Sequence, residues 1–312
     1  MSKTAFIFPG QGSQQVGMSK DIYDNFSYVK ALFEQANDIL SVDLAKITFE
    51  GPMEELTKTQ YTQPALMVTS IALLKVLENE YGVSVKDKAS FVAGHSLGEY
   101  SALCAAQAIS FEQTVKLLGI RGSAMAKCAE KTTGAMAAII GSETSVVQEI
   151  VEAASQGEAC QIANDNSVGQ IVISGSKDAI DRAIIIAKEK GIKRAIPLPV
   201  SGAFHSSLMN DAALEMKDAL KDAKINVPIV PLVANVTAAQ TSSPEEIKDL
   251  LIRQVTGSVR WRESLIYMEQ NQVTNLVEIG SGKVLCGLAG RTCKEIATSS
   301  IQNLEDIKNY CT

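Results

Sequence analysis

The pentapeptide GHSLG at residues 94–98 constrains the fold of this chain more than any other segment. It follows a short apolar run at residues 90–93 and precedes a helix-like segment that opens with Glu99. A strand, a tight turn and a helix around G-x-S-x-G are the context of a nucleophile elbow, in which a serine hydroxyl stands on a strained turn. The pattern therefore predicts an α/β protein with Ser96 as its nucleophile, and the alternative is a serine in an ordinary strand-to-helix turn.

Length, charge and cysteine content narrow the class of protein. A chain of 312 residues predicts one large domain that carries a second, smaller one. The formal net charge of −6 argues against nucleic acid as a partner. No apolar run is long enough to cross a bilayer, and the first twenty residues lack a signal-peptide pattern. The six cysteines show no C-x-x-C spacing and there are only two histidines, so we expect no metal site, free thiols and a cytoplasmic location.

The order of predicted elements divides the chain into two units. Strand-like and helical segments alternate in residues 1–129 and 201–312, which predicts one α/β domain with a mainly parallel sheet covered by helices. Residues 130–200 instead predict the order strand, helix, strand, strand, helix, strand. That order is typical of a ferredoxin-like unit and would suit a small domain inserted into the larger one.

Two local patterns add detail to these units. The middle strands of the small domain are predicted at residues 159–163 and 170–174, with residues 164–169 as the turn between them. Farther along the chain, residues 228–234 predict another strand of the large domain.

A serine nucleophile needs a base within hydrogen-bond reach. His95 precedes Ser96, so its side chain should leave the turn in another direction and pack or hydrogen-bond beneath the loop. By elimination His205 is the candidate base, in the sequence GAFH at residues 202–205. This position at the predicted seam between the domains suits a cleft.

When Ser96 attacks a carbonyl group, the oxyanion that forms on the carbonyl oxygen needs two backbone N–H donors. Leu97, the residue after the nucleophile, should supply one of them. The glycine-rich turn PGQGSQ at residues 9–14 is a candidate for the second. This turn is not a dinucleotide-binding G-x-G-x-x-G motif because Gln15 stands at the last position, and it lacks the ending of a Walker A loop.

Arg121 interrupts an apolar stripe on a predicted helix over residues 111–129. A buried guanidinium is costly unless an anion meets it. From periodicity alone, a structural ion pair with a carboxylate such as Glu99 is slightly favoured. The functional alternative is a bidentate clamp for a substrate carboxylate, which suits the planar fork of an arginine.

The sequence does not indicate an acidic third member of a catalytic triad. An ordinary α/β-hydrolase would have its histidine near the C-terminus, whereas His205 lies far from it. This argues against a plain esterase.

Four motifs, taken together, resemble one family. They are FPGQGSQ at 8–14, GHSLGEY at 94–100, GAFH at 202–205 and EIGSGKVL at 278–285. The chain resembles the malonyl-CoA:acyl carrier protein transacylases of type II fatty acid synthesis, and the likeness runs nearly from end to end. The resemblance implies a hydrolase-like large domain with an inserted ferredoxin-like subdomain. It also implies transfer of malonyl groups from malonyl-CoA to the phosphopantetheine thiol of acyl carrier protein.

The resemblance assigns roles to residues of the reacting centre. It implies that Ser96 is the acylated nucleophile and His205 its base. The amides of Gln11 and Leu97 would form the oxyanion hole. The backbone carbonyl of Gln254 would orient the histidine, so that a catalytic dyad takes the place of a triad.

Further residues would bind the acyl group. The resemblance implies that Arg121 holds the malonyl carboxylate, and that Gln63 and Asn164 line the site. Phe204, beside the base, would fill the space that a methylmalonyl branch needs.

The predicted reaction is a ping-pong transfer with malonyl-CoA as substrate and coenzyme A as product. We expect no permanently bound cofactor and a monomeric enzyme whose partner is acyl carrier protein. The alternatives are a serine thioesterase or other hydrolase, and a non-catalytic module that binds carrier protein. An acidic carrier protein would need basic residues to dock on. The candidates are Lys188, Lys190, Lys193 and Arg194 on the small domain and Lys283 and Arg291 on the large one.

Overall fold

The structure is a computed structural model that describes residues 3–200 and 202–312. Ser201, at which the second part of the large domain is predicted to begin, lies outside the described residues. The described strands form two sheets, one of six strands and one of four. No helix within the described ranges is long and apolar enough to span a membrane.

The six-stranded sheet follows the order β10-β9-β1-β2-β7-β8. All its neighbours pair in parallel except β7 and β8, which are antiparallel. The prediction of a mainly parallel sheet is confirmed. The strands are β1 Lys3–Phe8, β2 Phe91–Gly94, β7 Leu232–Val233, β8 Gln240–Thr241, β9 Val273–Ile279 and β10 Ala297–Ile301.

The four-stranded sheet follows the order β4-β5-β3-β6 and all its pairs are antiparallel. Its two helices, α9 (Thr144–Ser155) and α10 (Lys177–Glu189), pack with it around a separate apolar core. The strands are β3 Gly134–Ile140, β4 Cys160–Ser167, β5 Gln170–Ser176 and β6 Arg194–Pro197.

Helices cover the sheets, and a 3₁₀ turn, Ser207–Met209, follows the candidate base. The α-helices of the described residues are α1 Lys20–Asn25, α2 Ser27–Leu40, α3 Leu44–Glu50, α4 Met53–Thr57, α5 Thr59–Tyr81, α6 Val85–Lys88, α7 Gly98–Ala105, α8 Phe111–Lys131, α9 Thr144–Ser155, α10 Lys177–Glu189, α11 Asn210–Lys221, α12 Pro244–Gln254, α13 Trp261–Gln270, α14 Val284–Thr292 and α15 Leu304–Cys311.

The apolar run of β1 explains why this strand lies in the middle of its sheet. A strand with helices on both faces must be apolar at successive positions, unlike one with a solvated face. Phe6 and Phe8 point into one hydrophobic core, whereas Ala5 and Ile7 point into the core on the other face. The strand is thus covered on both sides.

Strand β4 is longer than predicted. Asn164 through Ser167 continue the strand instead of forming a turn, which is confined to Val168 and Gly169. Polar residues that favour turns are held here by tertiary partners: Asp165 pairs with Arg262, and the backbone of Asn164 forms a bridge with Val259. These contacts override the local preference.

The strand predicted at residues 228–234 is also wrong in extent. Only Leu232 and Val233 pair with β2, and the residues before them run as a loop across the end of α7, where Ile229 donates its N–H to the carbonyl of Ala106.

Candidate active site

Ser96 lies on the turn between β2 and α7, with a positive φ of 53°. The two flanking glycines allow this turn. A Cβ on Gly94 would lie 1.9 Å from the carbonyl carbon of Gly98, and a Cβ on Gly98 would lie 2.3 Å from the backbone oxygen of Phe8. Both distances are far below any contact that a side chain can make, so the sharp turn needs glycine at both positions.

The Ser96 hydroxyl contacts the second predicted residue, His205. Ser96 Oγ is 2.8 Å from His205 Nε2, and His205 Nδ1 is 2.9 Å from the backbone oxygen of Gln254. A carbonyl oxygen only accepts, so the proton of the neutral imidazole belongs on Nδ1. The lone pair of Nε2 then faces the serine hydroxyl, which is the arrangement that a general base requires.

The electrostatics keep His205 neutral. Burial, together with the nearby positive charge of Arg121, lowers the pKa of His205 to about 3. A neutral imidazole at physiological pH can accept the serine proton.

Arg121 is only 1% exposed, and its guanidinium points at the reacting centre. One terminal nitrogen, Nη1, donates to Gln63 Oε1 at 2.7 Å, and the other, Nη2, donates to Ser96 Oγ at 3.1 Å and to Gln254 Oε1 at 3.0 Å. The direct ion pair with Glu99, slightly favoured from periodicity, is wrong: within the described parts of the chain no carboxylate pairs with this guanidinium. Its Nε is buried without a hydrogen-bond partner among those residues.

Hydrogen bonds connect Arg121 with the glycine-rich turn after β1. The amide nitrogen of Gln63 donates to the hydroxyl of Thr59 at 3.2 Å, and that hydroxyl donates to Gln11 Oε1 at 2.7 Å. Thr59 begins α5, so one turn of this helix positions both glutamines. Sequence reasoning missed Thr59, because only the packing of α5 brings it to this turn.

The sheet register places the two predicted oxyanion donors next to each other. In the parallel pair β1 and β2, Phe8 lies opposite Gly94, so the turns that follow both strands meet at the same edge of the sheet. Across residues 3–200 and 202–312, the backbone N–H groups of Gln11 and Leu97 have no acceptor within the protein. Both N–H groups are therefore free to meet an oxyanion.

A cavity of about 270 Å³ opens at this edge. It contains eight of the nine predicted site residues, and Gln254 lies buried behind it. Phe204 is 7% exposed and belongs to its apolar wall. The lining residues are Gln11, Gln63, His95, Ser96, Leu97, Arg121, Met125, Met136, Ala138, Asn164, Asn166, Gln170, Val172, Leu198, Val200, Phe204 and His205. The cavity thus lies between the two sheets.

His95 does not contact Ser96 through its ring. Its Nε2 lies 2.8 Å from Asn166 Oδ1 on β4, and its ring packs edge-on against Trp261. The predicted hydrogen bond beneath the loop is present, and it connects the turn after β2 to the four-stranded sheet.

A buried polar network behind Ser96 was missed from the sequence. Asn235, just after β7, accepts from the backbone N–H of Ser96 at 2.8 Å and donates to the backbone oxygen of Gly94 at 2.8 Å. The carboxylate of Glu99 accepts from the backbone N–H of Asn235 at 2.9 Å and from Gln254 Nε2 at 3.0 Å. Burial outweighs these hydrogen bonds and the charge of Arg121, so the pKa of Glu99 is raised to about 7.

No cluster of three or more His, Cys, Asp or Glu side chains in the described chain could hold a metal ion. The polar groups of the cavity are amides, one hydroxyl, two imidazoles and one guanidinium. This set suits the recognition of an anion rather than the binding of a cation.

A serine elbow, a histidine and two free amides are the arrangement of an enzyme that forms an acyl ester on its serine. Residues 5–308 match the family model of the acyl transferase domain. Malonyl CoA-acyl carrier protein transacylase from Bacillus subtilis (strain 168) is 43% identical over 99% of this chain and 96% of its own length. The protein of the same name from Escherichia coli (strain K12) is 42% identical over 96% of each chain. The chain belongs to the malonyl CoA-acyl carrier protein transacylase family.

Solved structures agree with this family. The crystal structure of acyl-carrier-protein-S-malonyltransferase from Bartonella henselae superposes with a TM-score of 0.95 at 50% identity, covering 99% of this chain and 98% of that one. A malonyl-transacylase solved in complex with a type II PKS acyl-carrier protein has a TM-score of 0.94 at 38% identity, again with 99% and 98% coverage.

Proposed function

We propose that this protein transfers the malonyl group from malonyl-CoA to the phosphopantetheine thiol of an acyl carrier protein. The observation that carries this proposal is the buried guanidinium of Arg121, which has no carboxylate partner in the described chain. Its Nη2 lies 3.1 Å from Ser96 Oγ. A cation held beside a nucleophile in this way suits an acyl group with a free carboxylate. The names of the relatives support the same reaction.

In the first half-reaction, Ser96 Oγ attacks the thioester carbon of malonyl-CoA while His205 Nε2 takes the hydroxyl proton. The carbonyl oxygen becomes an oxyanion, and the amides of Gln11 and Leu97 donate hydrogen bonds to it. Collapse of this intermediate breaks the carbon–sulfur bond. Coenzyme A leaves with the proton from His205, and a malonyl ester remains on Ser96.

In the second half-reaction, the thiol of the carrier protein attacks the ester. His205 takes the thiol proton and returns it to Ser96 Oγ as the carbon–oxygen bond breaks. The products are the malonyl thioester of the carrier and the free serine. No redox step and no permanently bound cofactor enters this scheme.

Arg121 provides selectivity in this scheme. Once Ser96 is an ester, its oxygen no longer needs the Nη2 proton, and both terminal nitrogens of Arg121 can turn to the malonyl carboxylate. Gln63 holds Nη1, and Asn164 and Phe204 contribute to the wall around the acyl group. A neutral acyl group would leave the buried guanidinium unpaired, which is unfavourable.

Intact-protein mass spectrometry after incubation with malonyl-CoA tests the proposal. The parent should gain the mass of one malonyl group and Ser96→Ala none. A pantetheine thiol or holo carrier protein should then remove the group as the thioester. Rapid loss to water without any thiol would instead indicate a thioesterase, and no adduct on the parent would refute acyl transfer.

We also propose how the fold is divided. Residues 1–129 and 201–312 would form a hydrolase-like catalytic domain and residues 130–200 a ferredoxin-like subdomain. Two observations support this division: the elements between residues 134 and 197 follow the order β-α-β-β-α-β, and their sheet has the order β4-β5-β3-β6. Limited proteolysis that releases a fragment bounded near residues 130 and 200 would test it.

Among the basic candidates for carrier docking, we favour Arg291 on the large domain, where Lys283 is the other candidate. Arg291 Nη1 donates to Gln170 Oε1 at 2.5 Å, and Gln170 lines the cavity, so this cation lies at the mouth of the site. On the small domain, Lys190 is paired with Glu149 at 2.7 Å, which reduces the free positive charge of the candidates there. Charge reversal at Arg291 should raise the KM for carrier protein and leave acylation by malonyl-CoA unchanged.

Two further proposals concern the oligomeric state and the cellular location of the protein. We propose a monomer, because one chain supplies every group of the site, and sedimentation velocity tests this. A cytoplasmic location is proposed from the six free cysteines, which suit a reducing compartment.

A further inference from the structure

We propose that Glu99 is a positioning residue for malonyl selectivity. Its carboxylate is held one amide group away from Arg121, where it orients Gln254 and offsets the buried positive charge without occupying the guanidinium. This inference rests on the proposed function, because it explains how Arg121 remains free for a substrate carboxylate.

Glu99 is a buried carboxylate beside the nucleophile that the reaction scheme leaves unused. It lies in the first turn of α7, directly after the elbow, and is 1% exposed. Its Oε2 accepts the backbone N–H of Asn235 at 2.9 Å and Gln254 Nε2 at 3.0 Å. A buried carboxylate needs compensation, and these two donors supply only part of it.

The side-chain amide of Gln254 lies between the two charges. Its Oε1 accepts from Arg121 Nη2 at 3.0 Å, while its Nε2 faces Glu99 Oε2 at 3.0 Å. The same Nε2 also faces the backbone oxygen of Ser96 at 3.0 Å and Asn235 Oδ1 at 3.1 Å. Three acceptors on one end and a cation on the other determine which way the amide points.

This orientation affects both parts of the reacting centre. Gln254 Oε1 fixes Arg121 Nη2, and the backbone oxygen of Gln254 accepts from His205 Nδ1 at 2.9 Å. Without the negative charge of Glu99, the amide would lose the one charged acceptor among the three that hold its nitrogen away from the guanidinium. Arg121 would then lose a defined position for the carboxylate of the acyl group.

The distance between the two charges matters as much as their signs. A carboxylate in direct contact with Arg121 would neutralise it and compete with the substrate. With the Gln254 amide between them, Glu99 still stabilises the guanidinium through a low-dielectric interior, and the face of Arg121 toward Ser96 stays available.

Glu99→Gln tests the role of the charge with little change in shape. The rates of Ser96 acylation by malonyl-CoA and by acetyl-CoA are measured well above pH 7, because the pKa of Glu99 is about 7 and its carboxylate must be ionised. We expect the malonyl rate to fall at least tenfold more than the acetyl rate. Acetyl-CoA is the reference substrate, because it reacts at the same serine and has no carboxylate for Arg121.

Glu278→Gln is the matched control. Glu278 is also fully buried, and its carboxylate accepts the backbone N–H groups of Leu285 and Cys286 at the start of α14, away from Arg121. This variant should have a lower melting temperature and an unchanged ratio of malonyl to acetyl rates.

The double variant Glu99→Gln, Gln254→Glu keeps one buried carboxylate but moves it into contact with Arg121. We expect a lower malonyl-to-acetyl ratio than in Glu99→Gln, since the guanidinium is then neutralised by the protein. If Glu99→Gln does not fold, the double variant retains the number of charges, and its malonyl-to-acetyl ratio should lie below that of the parent protein.

Two results would overturn the inference. Equal losses for both acyl groups in Glu99→Gln would mean that the carboxylate supports only the elbow, and a parental ratio in the double variant would mean that the place of the charge is irrelevant. A parent protein that malonyl-CoA does not acylate would instead refute the proposed function, so the two failures are distinguishable.

Discussion

Ser96 and His205 bring their reacting atoms to 2.8 Å from backbones that both have a positive φ, 53° and 56°. A non-glycine residue in this region is disfavoured by about 1–3 kcal/mol. The two residues come from different segments, one after β2 and one after β6, so the surrounding structure imposes both conformations. Pairs of strained residues in contact are typical of reacting centres, and the predictions below start from this pair.

Removal of the base should slow acylation strongly. In His205→Gln we expect the rate of malonyl-enzyme formation to fall about 10²–10⁴-fold, because a positioned general base contributes that much. Rapid-quench mass spectrometry measures the rate, with Ser96→Ala as the reference for no acylation. A His205→Gln variant that acylates at the parental rate would show that another group accepts the Ser96 proton.

Loss of the guanidinium should affect malonyl transfer more than acetyl transfer. Hydrogen bonds to a charged group contribute about 1.5–3 kcal/mol, so in Arg121→Gln the malonyl rate should fall roughly 10–100-fold more than the acetyl rate. The exposed Arg253, which pairs with Asp249, provides the control Arg253→Gln. Equal losses for both acyl groups would refute the carboxylate clamp.

The two histidines should have pKa values below that of a free imidazole and should therefore stay neutral at physiological pH. Burial lowers the pKa of His95, and burial and the charge of Arg121 lower the pKa of His205 to about 3. Imidazole NMR signals of the folded protein should therefore not titrate between pH 6 and 7. In Arg121→Gln the pKa of His205 should rise, because a nearby positive charge is removed. A signal in the parent that titrates near 6.5 would contradict this.

The same shift has a consequence for stability. An unfolded histidine binds a proton near pH 6.5, and the folded His205 does so only near 3. Between these values the unfolded chain binds more protons, so the free energy of unfolding falls as pH is lowered from about 6.5. Urea unfolding at pH 7 and pH 5 measures this, and the fall should be smaller in His205→Gln.

The parts of the site that depend on local structure could be predicted from the sequence. The elbow at Ser96 needs glycine at 94 because a Cβ there would meet the backbone of Gly98, four residues farther along the chain. The helix with Arg121 also follows from its own periodicity, and the apolar stripe predicted on it is buried. In each case the signal and its cause lie in the same segment.

The parts of the site and of the fold that depend on contacts between distant segments could not be predicted from the sequence. Asn235 reaches Ser96 because β7 lies beside β2, and no local pattern around residue 235 indicates that position. Likewise the polar residues after 163 form a strand because Arg262 and Val259 hold them, although their own preference is for a turn. The ion pair expected between Arg121 and Glu99 was wrong because Gln254 lies between them.

The size of Phe204 should limit the acyl groups that the cavity accepts. This residue lies beside His205 in the apolar wall of the cavity and is 7% exposed. In Phe204→Ser we expect acylation by methylmalonyl-CoA to increase at least tenfold, since one extra methyl group is typically worth about 1–3 kcal/mol in a tight pocket. Phe204→Leu, which keeps more of the volume, should show a smaller gain. No increase in either variant would refute the steric role.

The ion pair between Asp165 and Arg262 should stabilise the junction between the two sheets. Asp165 is 3% exposed on β4, and Arg262 of α13 reaches its carboxylate with two nitrogens, Nε at 3.0 Å and Nη2 at 2.7 Å. A bidentate pair in a mostly buried place contributes more than an exposed one, because loss of one partner leaves a charge with poor solvation. In Asp165→Asn we expect the free energy of unfolding to fall by about 2 kcal/mol, measured by urea denaturation.

Asp181→Asn is the matched control for this pair. Asp181 pairs with Lys177 on the exposed face of α10, with side chains that are 52% and 56% exposed. An exposed pair of this kind contributes less than about 0.5 kcal/mol. Similar losses in the two variants would mean that the Asp165 pair acts as an ordinary surface contact. A larger loss in Asp165→Asn alone, with raised KM for malonyl-CoA, would connect this junction to the cavity, since β4 also carries Asn164 into its wall.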